Sequence, residues 1–178
     1  MISQVTKLKC MNFVEQVLHV PGNYSGGILE MAIVFDSALD RNTSATLTGD
    51  LIKALKAHSP VFRNVLLNTI IWKNGKEMVK SVTPMPILQM GRFFDDWETI
   101  TEVKPVDELA RQLQLFYARS KLIFLLTNGD FFIEHVDNIA SYMKPFLEKK
   151  LVILTTDKED TALKLTRRTL LIPPEMIG

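Results

Sequence analysis

The chain has one cysteine, Cys10, among 178 residues. A single thiol closes no internal disulfide and builds no cysteine-rich zinc site. Charge of one sign is also lacking: 21 Lys and Arg face 20 Asp and Glu, a net charge of +1. Nucleic-acid binding calls for a clearly basic face, so the balance gives that class no support. No run of about 18 apolar residues occurs, and no transmembrane helix is expected. The start MISQVTKLKCMNF has no apolar stretch between a basic opening and a small-residue cleavage site, so no signal peptide is expected. His19, His58 and His135 are scattered and suggest no metal or proton-shuttle cluster. No G-x-G-x-x-G follows the first apolar run, and no G-x-x-x-x-G-K-[ST] occurs, so a phosphate-cradling loop is missing.

What is present describes a globular chain, with 47% apolar and 23% charged residues. The length suits one domain able to bury a core without staples. The expectation is a soluble, cytoplasmic protein.

Residues 1–27 read as an N-terminal extension ahead of a domain over 28–178. Within the extension, Val5, Leu8, Met11 (or Cys10), Val14 and Val17 suggest a helical stripe, while Phe13–Val20 also suits a strand. Pro21-Gly22-Asn23 and Gly26-Gly27 break the chain. Ile28–Phe35 is a short apolar run ending in Asp36-Ser37, as expected of a strand buried on both faces. Leu47, Leu51, Ala54 and Leu55 recur at helical spacing up to Ser59-Pro60. Val65–Trp72 and Glu77–Thr83 flank Asn74-Gly75, a strong signal for an antiparallel hairpin.

Residues 84–104 read as a long loop carrying Phe93, Phe94 and Trp97. A helix starts near Pro105, with Val106, Leu109, Ala110, Leu113 and Phe116 as its stripe. Leu122–Thr127 is another apolar strand, closed by Asn128-Gly129-Asp130. Ile133, Val136, Ile139, Ala140, Met143 and Phe146 space a further helix, interrupted by Pro145. Leu151–Leu154 is a strand. Asp157 then caps a final helix carrying Leu163 and Leu165, with Arg167-Arg168 on its solvated end and Pro173-Pro174 as its stop.

Apolar strands alternating with amphipathic helices predict an α/β fold. It would be doubly wound and mostly parallel, with one antiparallel edge hairpin strand and helices on both faces. Ligands of such sheets sit beyond the carboxyl ends of the strands, at the switch point. That rule brings the loops Asp36–Asn42 and Asn128–Phe131 together as the candidate site.

With MAIVFDSALD, VLLNTIIWKNGKEMVKSVTP and LIFLLTNGDF in this order, residues 28–157 resemble a von Willebrand factor type A domain. The first matches the family's opening strand ending in Asp. The second matches its strand pair joined by a tight turn. The third matches a fourth strand that usually ends in Thr-Asp-Gly. The family's metal-ion-dependent adhesion site uses Asp-x-Ser-x-Ser, a Thr on a second loop and an Asp on a third, holding a hard cation by oxygens. Asp36 matches the leading Asp, but Ala38 and Asp40 stand at the two Ser positions. Asn128 stands at the third-loop Asp. Thr99 and Thr101 lie upstream of Pro105 without the usual context. The resemblance therefore implies a degenerate site with no resident metal; Asp36, Asp40 and Asp130 are the oxygens left for Mg²⁺ if one binds.

Intracellular members of that family commonly serve as adaptors or complex subunits. The resemblance thus implies a non-enzymatic protein–protein interaction module without cofactor, binding neither nucleic acid nor membrane. Its contact residues would be Asp36, Ser37, Asp40, Asn128, Asp130, Phe93, Phe94 and Trp97. Each has a plainer reading beside it. Asp36 also suits a turn cap, Asn128-Gly129 a turn needing positive φ, and the aromatic run a cover for a sheet edge. Cys10 suits a small buried hydrophobe. The alternative function is a haloacid-dehalogenase-like phosphohydrolase with Asp36 as nucleophile and the Thr of LLTN as a second motif. That chemistry needs an acid/base two residues after the nucleophile, where this chain has Ala38.

Overall fold

A computed structural model describes residues 3–18, 29–58, 62, 65–72, 78–80, 85–86, 99, 109, 111, 113, 120–129, 150–157, 159–163 and 166–173. The elements are α1 (Gln4–Leu18), β1 (Leu29–Asp36), α2 (Arg41–His58), β2 (Val65–Trp72), β3 (Met78–Lys80), β4 (Met85–Pro86), β5 (Leu122–Thr127), β6 (Leu151–Thr155), α3 (Glu159–Ala162) and β7 (Thr169–Leu171). Five strands run parallel in the order β2-β1-β5-β6-β7. The short strands β3 and β4 pair antiparallel with β2, Trp72 lying opposite Met78. The Asn74-Gly75 turn and the helix expected over Ile133–Phe146 lie outside the described residues. The fold class is α/β.

The central strands are apolar throughout because the sheet is covered on both faces. Every residue of β5 and β6 is buried, and in β1 only Glu30 is partly exposed. Alternation then sorts the side chains. Met31, Ile33, Phe35, Leu67, Ile71, Phe124, Leu126, Val152 and Leu154 join α1 and α2 in one core cluster. Ala32, Val34, Ile70, Trp72, Ile123, Leu125 and Ile153 join the helical residues Leu109 and Leu113, and Ala162 of α3, in the other.

Right-handed crossovers account for this division. From β1 to β2 the chain moves one way along the sheet, and α2 lies on the first face. From β2 over β1 to β5, and again from β6 to β7, it moves the other way. The helical residues on those connections lie on the second face. The order of connection therefore reverses at β1, which places the switch point between β1 and β5.

The helix α1 has a definite role in this arrangement. Rightward crossovers leave the β5-β6-β7 half of the first face to be covered by something else, and α1 packs against all three of those strands. It buries Cys10, Met11, Val14, Val17 and Leu18. Segment 4–18 is thus helix rather than strand, but its stripe differs from the expected one. Val5 is 63% and Leu8 58% exposed. A helix turns about 100° per residue, so repeated steps of three precess around it. Positions 5, 8, 11, 14 and 17 cannot all face one core. Cys10 is buried as expected, and desolvation pushes its thiol up to about 12.

The end of the chain also departs from the sequence pattern. The final helix is short, Glu159–Ala162, and Thr169–Leu171 is a seventh strand parallel to β6. Ala162 is buried and Leu163 is exposed, the reverse of the expected stripe. Arg168 is not on a solvated face: it is 8% exposed, and its Nε donates to the Leu151 carbonyl at 3.2 Å. Arg167 is exposed. A three-residue strand is too short to show a period, so it merges with the helical spacing before it.

Candidate functional site

The carboxyl ends of β1 and β5 lie side by side at the switch point, because the two strands pair parallel through Phe35 and Leu126. The first loop is built around Asp36. Its Oδ1 accepts the Ala38 backbone N–H at 3.0 Å, the side-chain-to-backbone turn that Asp forms two residues on. Its Oδ2 accepts the Thr127 hydroxyl at 2.7 Å. Asp36 is 1% exposed and Thr127 fully buried. Thr127 Oγ1 in turn accepts the Gly129 N–H at 2.9 Å. Gly129 has φ 80°, as the Asn128-Gly129 turn demands and as a residue without Cβ adopts freely. One hydroxyl thus ties both loops together.

Ser37 ties the first loop to β2 instead. Its backbone N–H donates to the Trp72 carbonyl at 3.2 Å, and its Oγ donates to the same oxygen at 2.8 Å. Ser37 has no exposed surface. Asp40 is different in kind: it is exposed and caps α2, accepting the Thr43 N–H at 2.7 Å and the Thr43 hydroxyl at 2.8 Å. The Thr43 backbone N–H holds the Asp40 carboxyl below its usual range. Next to β5, Thr156 N donates to the Thr127 carbonyl at 3.0 Å. The Thr155 hydroxyl donates to the Asp157 carbonyl, closing a similar turn at the end of β6.

The structure therefore brings Asp36, Ser37, Asp40 and Asn128 to one edge but gives them different surroundings. Asp36 and Ser37 are interior and engaged in hydrogen bonds. Ala38 and Asn128 are half-buried, and Asp40, Arg41 and Asn42 are exposed. Asp130, Phe93, Phe94 and Trp97 lie outside the described residues. Thr127, weighed from sequence only for the phosphohydrolase alternative, is the residue on which the site turns. Its signal was its place as the last residue of an apolar strand.

Among the described residues, no three His, Cys, Asp or Glu side chains are grouped to hold a metal ion. Nor is any described helix long and apolar enough to cross a membrane. No protein-family model matches the chain, and no curated protein matches it in sequence.

Proposed function

We propose that the chain is a protein–protein interaction module on a von Willebrand A-like scaffold, a subunit or adaptor of a cytoplasmic complex that works without enzymatic activity or cofactor. The scaffold in this reading is doubly wound, with helices on both faces and the hairpin strand at one edge. The observation that carries the reading is the use made of Asp36. Both of its carboxyl oxygens accept hydrogen bonds from the protein itself, from Ala38 N–H and Thr127 Oγ1. The residue that leads the adhesion motif serves here to join two loops. Ala38 has no side-chain oxygen to offer a cation, and Asp40 is engaged as a helix cap. The surface offered to a partner is the exposed or half-buried rim of Ala38, Asp40, Arg41, Asn42 and Asn128. Affinity purification from the native host, comparing wild type with an Asn42→Arg/Asn128→Arg double variant, tests this. A stable partner lost only in the variant is expected. Recovery of the same proteins with both chains refutes the loop surface.

The phosphohydrolase reading keeps one observation in its favour: an Asp and a Thr that end neighbouring parallel strands lie 2.7 Å apart. It lacks the acid/base at position 38. Hydrolysis of an aryl phosphate, abolished in Asp36→Asn, would establish it over the interaction module.

A further inference from the structure

A second surface lies away from those loops, between the two helices of the first face. Gln4, Lys7, Leu8 and Met11 of α1 and Lys53, Ala54, Ala57 and His58 of α2 line a groove of about 390 Å³. Both sets recur at the spacing of one helical ridge, so two ridges flank a furrow in which a third helix packs by the ordinary rule. Position 53 lies 12 residues along α2 from Arg41, roughly 18 Å at the helical rise. The groove thus belongs to the opposite end of the domain from Asp36.

Two features give the groove a chemistry. Leu8 stands on its wall 58% exposed, with Val5 one turn away at 63%, and these are the two most exposed large apolar side chains among the described residues. Lys7 and Lys53 flank the apolar lining from opposite helices, and among the described residues no acidic side chain lines the groove; Asp50 lines the adjoining narrow cleft instead. His58 at one end pairs with Glu15 at 3.0 Å, clamping α1 to α2.

We propose that this groove docks an acidic amphipathic helix of a partner protein. The helix sets its apolar stripe against Leu8, Met11, Ala54 and Ala57 and its carboxylates against Lys7 and Lys53. The contact goes beyond the loop surface and does not depend on it.

The test is selection of a displayed library of amphipathic helices on the intact chain, followed by fluorescence anisotropy with the enriched peptides. Enriched sequences are expected to carry Asp or Glu beside an i, i+3, i+4, i+7 apolar stripe. Their binding should fall about tenfold or more in Leu8→Asp and in Lys7→Glu/Lys53→Glu. It should be unchanged in Asn42→Arg/Asn128→Arg, which separates this surface from the loops. Circular dichroism melting confirms that the groove variants fold; the substituted side chains are exposed or half-buried. Enrichment of basic helices, enrichment of none, or binding retained in both groove variants overturns the proposal. So does a dimer of the chain alone that Leu8→Asp dissociates. Sedimentation with phosphatidylserine vesicles that Lys7→Glu/Lys53→Glu abolishes overturns it as well.

Discussion

The strand β1 is linked to its two neighbours by polar side chains at both ends, and the two linkages differ in depth. At the carboxyl end, Ser37 reaches the Trp72 carbonyl of β2 and Asp36 receives the Thr127 hydroxyl of β5, all four residues being essentially inaccessible. At the amino end, Asn68 of β2 donates from Nδ2 to Glu30 Oε1 at 2.9 Å and to Ser120 Oγ at 3.2 Å. There Glu30 is half-buried, and Lys150, also half-buried, donates to the Ser120 carbonyl at 3.1 Å. The chemistry is alike, but the cost of breaking it is not. A carboxylate that can turn to water loses little when a donor is removed. One held in the interior keeps its desolvation penalty. The upper linkage therefore holds geometry rigidly, where the loops must be positioned. The lower one mainly fastens the sheet.

Predictions can be ranked along that contrast. The largest effect belongs to Thr127→Val, which keeps the shape and removes the hydroxyl shared by Asp36 and Gly129. Unfolding in urea should show a loss of about 3 kcal/mol. A loss below about 1 kcal/mol would mean that water replaces the hydroxyl and the interior picture is wrong.

Asp40→Ala comes next, with a loss of about 1 kcal/mol from the missing cap of α2. Because the folded carboxyl is held below its usual range, the contribution is present above the unfolded-state value near 4. It is lost as pH falls through the folded value. Wild type should therefore lose more stability than Asp40→Ala between about pH 5 and the acid limit. Parallel acid profiles of the two would remove the cap from the account.

At the lower linkage Asn68→Leu should cost about 1 kcal/mol, since Glu30 turns outward to water and only the neutral, buried Ser120 hydroxyl loses its amide partner. A cost matching Thr127→Val would erase the contrast between the two ends. The smallest effect is that of Mg²⁺, which should leave the melting temperature unchanged. A rise that vanishes in Asp36→Ala would show a cation bound at the upper end.

Much of this was legible before the fold was known, and the reasons are local. Val65–Trp72 and Leu122–Thr127 are strands to the residue, because apolar runs of this length between turn signals have few other uses. The loop pair at the switch point followed from strand and helix alternation. Gly129 at positive φ followed from Asn-Gly. Other features were not legible. Arg168 next to Arg167 looks like a charged helix end, but the fold buries it and brings the Leu151 carbonyl, 17 positions away, to its Nε. Val5 and Leu8 look like core, yet the turn of the helix carries them off it. Ser37 looked like a contact residue but spends its hydroxyl on a neighbouring strand.

By itself the sequence determined the strands at β1, β2 and β5 and the helix α2 between the first two. It also determined that the sheet must be covered on both faces, because its strands are apolar without alternation. Periodicity is written into neighbouring residues. The turn that Asp36 caps was open to sequence, but tertiary structure alone decided that it also joins a second loop, since Thr127 is 91 positions away. It decided as well that α1 completes the core and that Thr169–Leu171 forms a strand. Each of these depends on which surface lies opposite, and no spacing along the chain records that.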